Sequence, residues 1–128
     1  MNKLIINSDD FGYDRAINHA IIDTHQEGIL TSTTLMSNTP GFKHAVKLAK
    51  ENPALGIGVH LVLTFLKPLR EDVPSLVDED GDFYRPDAHR AGLAIVDVDE
   101  LYKEWDTQIQ KVLDAGIQPT HLDSHHHA

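Results

Sequence analysis

No cysteine occurs in this chain, which excludes disulfide staples, thiolate metal ligands and thiol nucleophiles. The absence fits a reducing compartment. Basic residues are few: 11 Lys and Arg stand against 20 Asp and Glu, a formal net charge of −9 with no basic stripe. That balance argues against nucleic acid or an anionic membrane as a partner. Long apolar runs are missing as well. Leu4-Ile5-Ile6 is too short for a signal-peptide core or a membrane span. The default expectation is a soluble cytoplasmic protein, and 128 residues suffice for one domain with a modest core. There is no P-loop, no G-x-S-x-G elbow and no N-glycosylation acceptor. Asp78-Glu79-Asp80-Gly81-Asp82 resembles a calcium loop, but its glycine comes too early and the closing Glu is absent. Gly56-x-Gly58 lacks the third glycine of a dinucleotide fingerprint.

What the chain does have is histidine. Four of its nine histidines fall in the final stretch, Thr120-His121-Leu122-Asp123-Ser124-His125-His126-His127-Ala128. Imidazole and carboxylate at this density suit a divalent metal. A terminal histidine run can also be an expression tag, but here three histidines emerge from a strand-like segment instead of following a linker.

The remaining pattern places these residues. Leu4 to Ser8 reads as a buried strand. Asp14 caps a helix with Ile17, Ala20, Ile21 and Thr24 on one face and Gly28 as its stop. Ile29 to Met36 suits a second strand. Thr39-Pro40 reads as a cap and first-turn proline for a helix carrying Phe42, Ala45, Val46 and Ala49, which Asn52-Pro53 ends. Leu55 to Thr64 has the apolar density of a strand buried on both faces. Glu71 to Gly92 is acidic and rich in Pro and Gly, and reads as a long excursion, a hairpin or lid within the domain. Asp97 or Asp99 starts a third helix carrying Leu101, Trp105, Ile109, Val112 and Leu113, closed by Gly116. Pro119 to Ala128 opens a fourth strand. The order βαβαβ-loop-αβ implies an α/β fold with a parallel sheet.

In parallel α/β architectures ligands gather at the carboxyl ends of strands. Asp9-Asp10, His60 and the group Asp123, His125, His126 and His127 each fall at such an end, so they should converge. Two adjacent carboxylates repel unless a cation or shared proton intervenes, and they suit a division between metal ligand and base. The competing reading is a turn with Gly12 or a helix cap. A solitary strand histidine such as His60 is more often a hydrogen-bonded core residue than a ligand, although the flanking glycines permit close approach. On a strand, His121, Asp123 and His125 share one face and Leu122, Ser124 and His126 the other. One ion cannot take all these ligands, so some must support it or face substrate. His19, His25, His44 and His89 read as solvated.

Four ordered motifs now stand out: Asn7-Ser8-Asp9-Asp10-Phe11-Gly12, Gly28-Ile29-Leu30-Thr31-Ser32-Thr33-Thr34, Gly58-Val59-His60-Leu61-Val62-Leu63-Thr64, and Pro119 to His127. With the Pro68-Leu69 and Val73-Pro74-Ser75-Leu76 landmarks, the whole chain resembles the YdjC/ChbG family of carbohydrate deacetylases. The resemblance implies a (β/α) barrel-like fold related to the TIM barrel. It implies a divalent metal, magnesium by family, with zinc also suited to two His and one carboxylate. It further implies hydrolysis of N-acetyl groups on amino sugars such as chitooligosaccharides, and a homodimer. Its metal ligands map onto Asp10, His60 and His125, and its base onto Asp9. His121, Asp123, His126 and His127 are left as supporting or substrate-facing. Family members run to roughly twice this length, as a barrel of about 250 residues requires. The chain therefore resembles the N-terminal half, a half-barrel with two open edges that lacks the expected general acid. Other readings are a non-catalytic metal-binding fragment or pseudo-enzyme module, and another barrel metallohydrolase such as a phosphoesterase. The latter is weakened by the lack of a cationic phosphate clamp near the motifs.

Overall fold

The computed structural model describes residues 2–127. Four strands, β1 (Asn7–Phe11), β2 (Ser32–Leu35), β3 (Gly56–Leu61) and β4 (Leu122–Ser124), form one open parallel sheet in the order β1-β2-β3-β4. The helices are α1 (Arg15–Glu27), α2 (Phe42–Glu51), α3 (Pro86–Arg90) and α4 (Val98–Asp114). Among the described residues no helix is long and apolar enough to cross a membrane.

Period-two alternation divides the sheet into two unlike faces. Ile57, Val59 and Leu61 of β3 join Phe11 and Leu35 in one core with Ile21 and Ile22 of α1, Phe42, Ala45 and Leu48 of α2, and Val112 of α4. Each large apolar side chain buried there contributes about 1.5–3 kcal/mol. The alternate residues Gly56, Gly58 and His60 share the other face with Asn7, Asp9, Ser32 and Thr34. That face is polar and built from small side chains. The helices cover one side of the sheet, and the chemistry lies on the other.

Several boundaries differ from expectation. The first strand begins at Asn7, and Leu4 and Ile5 are exposed at 76% and 78%. The reason is the ladder. Thr31 and Ser32 both donate to the Ile6 carbonyl, so pairing starts where the apolar run ends. Thr39 does not cap α2. Its hydroxyl donates to the carbonyls of Gly12 and Met36, tying the β1 and β2 ends together, and Gly41 occupies the cap position. Asp97, by contrast, caps α4 as expected, its carboxylate accepting from the amides of Asp99 and Glu100.

The most buried residues of α4 are Glu104, Gln108 and Val112, while Leu101, Trp105, Ile109 and Leu113 are only half-buried. Polar residues take the buried stripe because they bond backbone there. Gln108 accepts from Val62 N–H and donates to Val62 C=O and to Glu104 Oε1. Glu104 in turn accepts from the amides of Leu69 and Arg70. The clamp fixes the chain that leaves β3. The excursion from Glu71 to Gly92 contains a short 3-10 turn at Pro74–Leu76, a bridge between Val77 and Phe83, and α3. It packs Val73, Leu76 and Phe83 against Met36, Val62 and Leu63 in a second core. Ala128, included in the fourth-strand expectation, lies outside the described residues.

Candidate metal centre

A bulge delivers two adjacent carboxylates to one place. Pairing of β1 with β2 is regular at Asn7 with Ser32 and Ser8 with Thr33, then slips before Phe11 meets Leu35. Asp10 absorbs the irregularity with φ of 65°, a left-handed conformation that Asp visits more readily than most residues. Gly12 continues the turn with φ of 95°, and a Cβ there would lie 2.9 Å from the Met36 carbonyl oxygen. Asn18 Oδ1 accepts the Gly12 amide at 2.7 Å, so the first turn of α1 braces the bend.

The bend aims Asp10 at two histidines. Asp10 Oδ1 lies 3.3 Å from His60 Nε2 and 3.1 Å from His125 Nδ1, and those two nitrogens are 3.2 Å apart. Donors bound about 2.0–2.1 Å from one ion stand about 3.0 Å apart at a right angle and about 3.4 Å apart at the tetrahedral angle. The triangle falls within that range. Asp10 Oδ1 is also buried without a hydrogen-bond partner. A buried, unpaired carboxylate oxygen beside two imidazole nitrogens is the donor set that a divalent cation completes.

His60 is prepared for this role. It is 2% exposed, and its Nδ1 lies 2.7 Å from Asp123 Oδ1. An ionised carboxylate only accepts, so the proton sits on Nδ1 and the Nε2 lone pair faces Asp10 and His125. Burial holds the His125 imidazole below its ordinary pKa, and the neighbouring His126 ring pushes the same way while Asp10 opposes. The neutral form, which ligates metal, is thereby favoured.

The other expected residues separate. Asp9 is exposed, with Oδ1 accepting from Asn7 Nδ2 at 3.0 Å and standing 3.4 Å from the Thr34 hydroxyl. Asp9 also groups with His60 and Asp123 at metal-ligand spacing. His125–His127 form a 3-10 turn beyond β4, so strand alternation stops at Ser124 and does not place His125 or His126. His126 and His127 are left-handed, with φ of 59° and 56°. His126 Nδ1 meets Thr64 Oγ1 at 3.0 Å, and its ring centroid lies 3.8 Å from that of His125. His127 borders a cavity with His89 and Arg90. His121 lies over Gly58, where a Cβ would approach its Nε2 to 2.6 Å, and bonds Thr120 Oγ1.

Of the histidines expected to be solvated, only His19 is exposed. His25 pairs with the Leu30 carbonyl, His44 with Asn18 Nδ2, and His89 is half-buried beside Tyr84. Helix ends and buried amides offer imidazole partners that spacing alone does not show. Sequence reasoning also passed over Asn7, Thr34, Thr64 and Phe65, which contact the site residues. Asn7 carried a usable signal, its period-two relation to Asp9.

Comparison with known proteins places the chain in a family. Residues 3–128 match the family described as YdjC-like protein. The chain belongs to the YdjC-like family. Within it, the chain is 50% identical over 125 residues to a carbohydrate deacetylase of Brevibacillus brevis, covering 98% of this chain and 49% of that protein. It is 46% identical to one from Geobacillus stearothermophilus, covering 96% and 49%, and 49% identical to one from Clostridium beijerinckii, covering 98% and 50%. A crystal structure from Enterococcus faecalis V583, of a protein described as a proposed cellobiose-phosphate cleavage protein, superposes with a TM-score of 0.89 at 45% identity. It covers 97% of this chain and 48% of that one. The YdjC-like chain thus spans about half the length of the curated relatives it matches, and its open sheet is consistent with a half-barrel.

Proposed function

We propose that this chain carries the metal-binding and base-bearing part of a carbohydrate deacetylase, which hydrolyses N-acetyl groups on amino sugars or chitooligosaccharides. The observation that carries the reading is the convergence of Asp10, His60 and His125 on one point, with an unpaired buried oxygen of Asp10 at the centre. Names of the relatives, all carbohydrate deacetylases, support the substrate class.

Asp10 Oδ1, His60 Nε2 and His125 Nδ1 would hold the metal, magnesium by family resemblance or zinc by donor type. The chemistry such an ion would supply there is Lewis-acid polarisation of the acetamide carbonyl and a lowered pKa of water. Asp9 takes the proton of the attacking water. Asn7 Nδ2 orients its carboxylate, and the exposed side of that carboxylate leaves room for substrate. Asp123 keeps the His60 proton on Nδ1. The departing amine needs a proton, and we assign that acid to the part of the relatives' length that this chain does not span. A homodimer in the cytoplasm completes the reading, and light scattering tests the dimer.

The decisive assay is acetate release from N,N′-diacetylchitobiose after loading with magnesium or zinc. Asp9→Asn should lower the rate by about 10²–10⁴ while metal affinity is retained. Asp10→Asn should abolish both. A folded, metal-loaded chain that neither releases acetate nor binds the acetylated disaccharide refutes the deacetylase reading and leaves a metal-binding module. Equal activity in Asp9→Asn removes Asp9 as the base.

A further inference from the structure

The geometry points to the cavity behind His126 as the subsite for a second sugar residue, with Arg85 and Asp82 as the groups that recognise it. This inference rests on the deacetylase reading and adds residues that set substrate length. The cavity has a volume of about 340 Å³, within the range of small-ligand sites, and Thr64, Phe65, Leu66, Asp82, Arg85 and His126 contribute to its wall. It adjoins the metal centre directly. His126, which lines it, packs its ring at a tilt against that of His125, and Thr64, which also lines it, bonds His126 Nδ1. The proposal places the ring next to the acetamide-bearing sugar in this cavity.

Its lining suits a pyranose, which presents an apolar ring face and a rim of hydroxyls. Phe65 supplies the apolar side. Its ring stacks on Tyr13 at 5.3 Å and lies 5.7 Å from His125, so one aromatic surface continues from the metal centre to the cavity. Leu66 extends that surface at an energetic cost. It is 39% exposed and held at φ of 59°, a strained conformation for a non-glycine residue, by the Phe83 amide donating to its carbonyl. Strain of this kind persists where surrounding structure imposes it, most often at ligand sites.

The polar side is equally built. The Asp78 carboxylate accepts from the amides of Asp80 and Asp82, which shapes the turn and sets Asp82 at the cavity. Asp82 is steadied by Lys67 at 3.9 Å. Arg85 precedes Pro86, the first residue of α3, is exposed and lines the same cavity. A carboxylate that accepts and a guanidinium that donates match the two hydrogen-bonding modes of sugar hydroxyls.

The test compares N-acetylglucosamine with N,N′-diacetylchitobiose, by calorimetric affinity in the metal-loaded chain and by kcat/KM for acetate release. The parent chain should favour the disaccharide by about tenfold or more, the scale of one hydrogen bond to a charged group. Arg85→Ala and Asp82→Asn, each checked for an unchanged melting temperature, should collapse that preference toward unity. A parent without disaccharide preference, or variants that keep it, overturn the subsite. If acetate is released from neither sugar and neither binds, the deacetylase reading fails; if both bind without release, the affinity ratio still decides whether the cavity holds the second ring.

Discussion

Replacing Asp123 by Asn tests whether the centre depends on a partner outside the Asp10–His60–His125 triangle. In the parent, the carboxylate accepts from His60 Nδ1 at 2.7 Å beside a ring that is 2% exposed. Asn is nearly isosteric but has two orientations. With its carbonyl toward Nδ1 it keeps the tautomer and loses only the charge. With its amide toward Nδ1 it moves the proton to Nε2, which then faces Asp10 and His125 as a donor and cannot ligate. Loss of such a partner costs 10–100-fold in metal affinity, about 1.4–2.8 kcal/mol. Asp123→Asn should fall near the lower end and Asp123→Leu, which strands the Nδ1 proton in a buried place, near the upper end. Zinc affinity by chelator competition reads the effect, and ¹⁵N shifts of the His60 ring read the tautomer. Affinities for both variants within twofold of the parent, with the His60 proton still on Nδ1, would refute the reasoning.

Three further outcomes follow from other parts of the fold. Gly58→Ala places a Cβ 2.6 Å from the His121 ring, and should destabilise the chain by about 1–3 kcal/mol in urea. The double variant with His121→Ala should recover most of that loss, and no recovery would show that the clash is elsewhere. Gln108→Leu leaves the Val62 amide and carbonyl unpaired in a buried place, and should cost about 1–3 kcal/mol for each group, read as a lowered urea midpoint. In the metal-free chain, burial lowers the His125 pKa from 6.5, so below that pH the unfolded chain binds more protons than the folded one. Stability should be full above about 6.5 and fall as pH drops toward the folded-state value, with His125→Gln flattening the curve; a parent curve already flat between pH 7.5 and 5 would contradict the burial argument.

Much of the centre was legible because parallel topology carries its own rule about strand ends. The convergence of Asp9-Asp10, His60 and the Asp123–His127 group follows from placing polar residues at the ends of apolar strands; the family resemblance singles out Asp10, His60 and His125, and the structure brings these within 3.3 Å of one another. The route was partly different from the expected one. Strand alternation brings Asp123 and not His125 into register opposite His60, and the turn at residues 125–127 supplies the ligand. The buried stripe of α4 was misread for a related reason. Periodicity identifies apolar faces, whereas Glu104 and Gln108 are buried by hydrogen bonds to backbone at Val62, Leu69 and Arg70, far away in sequence.

The sequence by itself determined the alternation of strands and helices, the Asp14 cap, and the family to which the chain belongs, because these rest on local spacing and on ordered motifs. Tertiary structure decided how the polar residues divide their work. Only the bulge at Asp10 turns one of two adjacent carboxylates toward His60 and His125 and leaves the other with Asn7. Only the packing of β4 beside β3 sets Asp123 against His60 Nδ1 and thereby fixes which nitrogen is free. Both outcomes depend on contacts between residues far apart in the chain, whose distances and directions are set when the sheet assembles.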